Sequence, residues 1–154
     1  MKTSYLFPNR LKSISGIVFW ISLLLFILLM IEDYAEVVQI NTTVFAITDT
    51  NVTFGLIQNN VVDEILFTFL ILSGLMYAFS KEKTEDERVQ KIRLDSLVWA
   101  TYFNYILILL CYLFIYGFDF LNVMMAALFS HLLFFIIRFR WILYKQNKSL
   151  DYEE

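Results

Sequence analysis

One histidine, His131, and one cysteine, Cys111, are the only residues of their kind in 154 positions, and both lie inside long apolar runs. A single cysteine forms no intrachain disulfide and no Cys-based metal site by itself, so Cys111 reads as a small apolar side chain. His131 admits three chemistries. It can make a hydrogen bond between helices, to Asn104, Tyr105 or a nearby hydroxyl. It can act as a proton-responsive switch, since an unperturbed imidazole titrates near neutrality. It can ligate a haem or metal, but one histidine fills both axial positions only when two copies of the chain meet. The structural hydrogen bond is the expected role. Thr101, Asn104, Tyr105 and Tyr112 share a helical face, and Asn122, Ser130 and His131 punctuate the next apolar run. Asn104, Tyr105 and His131 therefore form a candidate polar cluster within the bilayer, where each polar group needs a partner.

No paired carboxylates lie in these runs, and the chain has no H-E-x-x-H, C-x-x-C, Walker loop or G-x-S-x-G. No catalytic, cofactor or metal residue is assigned, and no cofactor is expected. An intramembrane redox or lipid-processing enzyme centred on His131 is the enzymatic alternative. An oligomeric transporter or channel is a second alternative, since four ordinary helices rarely enclose a path.

A second constellation is KEKTEDERVQKIR, Lys81 to Arg93, with nine charges in thirteen residues. Thr84-Glu85-Asp86-Glu87 has the T-x-x-E form of a capping box, with acids where the helix dipole favours them. Glu87 and Lys91 have i,i+4 spacing. No Gly or Pro occurs from Lys81 to Tyr116, so one helix is predicted from about Glu85 into the following apolar run. It would reach roughly 15–18 Å beyond a membrane. Glu85, Asp86, Glu87, Arg88 and Lys91 form a candidate docking surface for a cytoplasmic protein. The competing reading is a solvated face that sets orientation.

The elements that position these residues follow from hydropathy. Mean hydropathy is +0.64 and 59% of residues are hydrophobic, more apolar surface than a soluble chain of this length can bury. The apolar runs predict membrane spans at about 13–31, 61–80, 96–117 and 120–138. The first is longer than a secretory h-region, and no A-x-A-like site follows it in EDYAEVV, so it is expected to be an uncleaved anchor. Gly117 can end one helix through a positive φ and Asp119 can cap the next, which makes spans three and four a tight hairpin. Positions whose numbers sum to about 237 should then lie level. Asn104 and His131 nearly satisfy that relation.

All twelve basic residues fall before the first span, between the second and third, or after the fourth. The positive-inside rule places both termini, the helical loop 81–95 and the tail 139–154 in the cytoplasm. Trp99 and Trp141 suit an aromatic belt at that interface. The outer segment, 32–60, has acids and no bases. VVQINTTVFAIT and NVTFGLI are rich in β-branched and aromatic residues around a turn-like Asp49-Thr50-Asn51, which predicts a short β-hairpin. Such a hairpin must pack on helix ends or another chain to persist. Asn41-Thr42-Thr43 and Asn51-Val52-Thr53 match the N-glycosylation pattern, relevant only in a eukaryotic secretory pathway.

Gly74 with Ala78, and Ala126 with Ser130, are small-xxx-small pairs that permit close helix approach, within the bundle or in a homo-oligomer. A net charge of −3 without a nucleic-acid motif argues against nucleic-acid binding. The stretches LFPNR, FSKEKTEDERVQKIRLDSLVWATYFNY and FFIIRFRWILYK together resemble a group of uncharacterised small four-helix membrane proteins of Bacteroidota-like bacteria. The resemblance implies a bacterial inner-membrane setting and carries no activity or site residues with it. The expected fold is an all-α membrane protein, a four-transmembrane-helix bundle with a short extracytoplasmic β-hairpin. Its expected role is that of a non-enzymatic accessory or sensory module docking a cytoplasmic partner.

Overall fold

Long apolar runs free of interior proline favour helix, because the helix satisfies every backbone group within one segment. The computed structural model describes residues 6–32, 39–48, 53–117 and 119–150. Its order is α1 (Asn9–Glu32), β1 (Asn41–Thr48), β2 (Thr53–Asn60), α2 (Val62–Ala78), α3 (Glu87–Phe114) and α4 (Asp119–Leu150). Among the described residues, three stretches are long and apolar enough to cross a membrane: Asn9–Leu29, Glu87–Phe114 and Phe120–Gln146. α2 has 17 residues. That is roughly 25 Å of helix against a hydrocarbon core of about 30 Å. The run expected to continue to residue 80 stops at Ala78, because Phe79 and Lys81 leave the helix to pair with another segment.

The chain divides into two compact units, Met1–Gly16 with Gly74–Glu154, and Ile17–Ser73. In the first, α3 and α4 form the predicted hairpin. Gly117 has φ +76°, and α3 ends at Phe114 with an extended Ile115 whose N–H bonds Cys111 O at 2.8 Å. The ring contact of Phe103 with Phe134 and the Arg138 guanidinium over Trp99 at 5.0 Å both obey the expected level relation. α3 buries Val89, Ile92, Arg93, Ser96 and Ala100, spaced along one helical face. Phe135 stacks on Phe79 at 5.4 Å and on Phe139 at 5.8 Å. Further along α3, Tyr102, Ile106, Leu109, Leu113 and Phe114 are exposed, a wide apolar surface that water would not tolerate well. α4 continues without a break through Arg138 and Arg140 to Leu150, since no Gly or Pro interrupts it.

The N-terminal segment joins this unit through backbone. Phe7 N–H donates to Phe79 O and Lys81 N–H donates to Phe7 O, both at 2.9 Å, as a parallel bridge. Gly16 lies where a Cβ would sit 2.8 Å from the ring of Tyr77, so a side chain there would collide.

In the second unit, β1 and β2 pair antiparallel from Asn41↔Asn60 to Thr48↔Thr53, which is the predicted hairpin. The turn-like Asp49-Thr50-Asn51 lies outside the described residues. Val61 N–H extends the pairing to Ile40 O at 3.2 Å, and Asn59 donates to Glu64 at 2.9 Å, so the strands are rooted on the start of α2. Leu25, Leu28, Ile40, Val62, Ile65 and Leu66 line an apolar cavity of about 540 Å³. Phe54 has φ +54°, a conformation that costs a bulky residue about 1–2 kcal/mol.

Candidate functional site

The charged stretch is built around two carboxylates that composition alone does not distinguish from their neighbours. Glu82 accepts from Lys12 of α1 at 2.5 Å and from Arg140 of α4 at 2.6 Å. Its own side chain is only 13% exposed. Arg140 lies over Tyr77 at 4.5 Å and donates to Tyr77 O at 3.4 Å. One acid thus ties the start of α1 to the middle of α4, while Asn9 donates to Lys81 O at 2.6 Å beside it.

Glu85 makes the second anchor. Arg93 reaches back to it with Nη1–Oε1 at 2.6 Å and Nη2–Oε2 at 3.2 Å, a two-pronged pair. Arg93 is buried, lies over Phe139 at 5.0 Å and also donates to Ser80 O at 3.3 Å. Glu85 Oε2 accepts the Glu82 N–H at 3.0 Å, which fixes the loop between the two anchors. A guanidinium suits this site because its flat, weakly hydrated face tolerates aromatic contact while its edge pairs with carboxylate.

The helix then starts two residues later than the capping-box pattern places it. Asp86, not Thr84, is the N-cap, with φ −107°, ψ 176° and Oδ1 accepting from Val89 N–H at 2.8 Å. Glu85 is drawn off to Arg93 instead of entering the first turn. Among the described residues no ion pair joins Glu87 to Lys91; Arg88 lies 3.7 Å from Asp86. Of the five candidate docking residues, Glu85 is committed to the interior network. Asp86, Glu87, Arg88 and Lys91 are exposed on the first turns of α3.

The polar cluster is arranged differently from its three candidate members. Ser130 donates to Asn104 across the α3–α4 pair, and its hydroxyl also lies 3.1 Å from Ala127 O. His131 is half-buried and makes no hydrogen bond among the described residues. Tyr105 is 68% exposed and makes no hydrogen bond among the described residues. Neighbouring residues on a helix differ by about 100° in direction, so a level depth selects Ser130 rather than His131 once the helix rotation is set. Thr101 satisfies itself on Leu97 O at 2.9 Å. Among the described residues no three His, Cys, Asp or Glu side chains converge on a point where a metal could bind.

Residues that sequence reasoning did not single out, Lys12, Glu82 and Arg140, carry most of the geometry here. Their one visible signal was position, each being a charge at the margin of an apolar run. The chain matches no family model, no curated protein and no solved structure.

Proposed function

We propose that this chain is a small polytopic membrane protein that works as a non-enzymatic accessory or sensory module, docking a cytoplasmic protein through the start of α3. The observation that carries the reading is the two-faced character of that helix end. One face holds Val89, Ile92 and the Arg93–Glu85 pair in the interior. The other exposes Glu87, Arg88, Lys91, Leu94 and Asp95. A charged face with an exposed leucine, held on a rigid base, suits a specific electrostatic contact. All four helices cross the bilayer in this reading, α2 with Asp63 and Glu64 in the outer interface, and both termini are cytoplasmic. The setting is a bacterial inner membrane.

The test is a photo-crosslinking amino acid at Lys91 in native membranes, with Ile106 as a lipid-facing control position. A discrete adduct at position 91, absent at 106 and lost when Glu87→Lys and Asp95→Lys are introduced together, is the expected result. Adducts at 91 that ignore those reversals would sink the docking role of this face. Glu85 is left intact in the design because its loss would unseat Arg93.

A further inference from the structure

Beside the Glu82 anchor the first unit holds a cavity of about 560 Å³. Lys12, Lys83, Arg88 and Arg140 line it against the single carboxylate of Glu82, and Leu143 and Val89 form an apolar wall. Lys12 and Arg140 share that one acid, and their side chains are only 24% and 23% exposed. Lys83 has no ion-pair partner among the described residues, and Arg88 has only the long approach to half-exposed Asp86. The lining therefore carries an excess of positive charge, two of its cations partly shielded from water and fixed in place. Partly desolvated, preorganised cations attract an anion more strongly than mobile surface lysines do. Ser13 also lines the cavity, and the next residue, Ile14, is 64% exposed and begins an apolar helix surface. The cavity thus sits where polar lining gives way to apolar helix.

We infer that this cavity binds a phosphate group, and that its source is the headgroup of an anionic phospholipid from the surrounding leaflet. The four cations receive the phosphate, and Leu143 and Val89 face the glycerol and upper acyl carbons. The lipid source rests on the membrane-spanning reading above; the phosphate chemistry does not. Soluble phosphate is the competing source, and the two predict different saturation behaviour.

The experiment uses the full chain in detergent micelles. Native mass spectrometry and thermal melting follow titration with phosphatidylglycerol, phosphatidylcholine, inorganic phosphate and glycerol 3-phosphate. Phosphatidylglycerol should form a retained one-to-one adduct and raise the melting temperature, with phosphatidylcholine far weaker. Lys83→Glu should weaken the adduct at least about fivefold, since each basic residue near an anionic lipid contributes about 1 kcal/mol. Leu143→Trp, which fills the cavity without altering charge, should weaken it as well. Glu87→Lys with Lys91→Glu, which removes the docking face, should leave it unchanged, so that the two proposals fail separately. Inorganic phosphate or glycerol 3-phosphate matching the lipid, with the same sensitivity to Lys83→Glu, would overturn the lipid source while supporting the phosphate site. Anionic-lipid retention equal in the wild type, Lys83→Glu and Leu143→Trp would overturn the site.

Discussion

Two acids of one charge run, Glu85 and Glu87, have opposite fates, and substitution separates them. Glu85 faces the buried Arg93, and removing one partner of such a pair leaves an uncompensated charge in a poorly solvated place. Glu85→Ala should lower stability by about 3 kcal/mol in micelles, read as a fall in melting temperature. Glu87→Ala, at an exposed position with no ion pair among the described residues, should stay within about 0.5 kcal/mol of wild type. Equal effects would contradict the arrangement described. Gly16 offers a second residue-scale test. A methyl there meets the Tyr77 ring, which the Arg140 guanidinium also holds. Gly16→Ala gains roughly 1 kcal/mol of helix propensity but overpacks a pinned ring. The net expectation is a loss of about 1–2 kcal/mol, where propensity alone predicts a gain. Neither Glu85 nor Gly16 is distinguishable in the sequence, because each owes its role to a partner 8 or more positions away.

At the scale of the element, the start of α3 shows how a tertiary contact redirects a local signal. T-x-x-E is a sound cap pattern, yet it lost to Asp86 once Arg93 drew Glu85 out of the first turn. Asp86→Ala should cost about 1 kcal/mol, and Thr84→Ala almost nothing. Melting of the two variants side by side decides which residue caps the helix. The hairpin shows the reverse case. Its strands were legible because β-branched and aromatic residues cluster on both sides of a turn, and nothing local competes with that pairing. Phe45 and Leu56 remain exposed on it all the same, for pairing fixes register and not what covers a face. The α3–α4 hairpin was legible in depth, as Trp99 with Arg138 and Phe103 with Phe134 demonstrate, but not in rotation. That is why Asn104 meets Ser130 and not His131.

At the scale of the whole molecule, the testable property is orientation. Single cysteines at Thr50, Glu87 and Lys148 in a Cys111→Ala background separate the two sides of the membrane. The background substitution is needed because Cys111 is half-buried and retains some access. A membrane-impermeant maleimide should label position 50 in intact cells, and positions 87 and 148 only after permeabilisation. Labelling of 87 from outside would reverse the proposed topology. The twelve basic residues motivate this orientation, and the fold adds a physical use for several of them. Lys12, Arg93 and Arg140 are not a loose positive fringe; they hold α1, α3 and α4 through two acids.

The long apolar helices and the hairpin were readable from the chain alone, because they depend on hydropathy, periodicity and turn chemistry within short windows. The same windows held the charges of the candidate site without their assignments. Nothing in K-E-K-T-E-D-E-R states that the second and fifth residues turn inward and the seventh outward. That choice depends on Arg93 and Arg140, which reach this loop from α3 and α4. A charge on a short loop has many solvated positions of nearly equal energy. A partly buried cation with aromatic contacts leaves it only one that compensates both, and that selection exists only after the helices have packed.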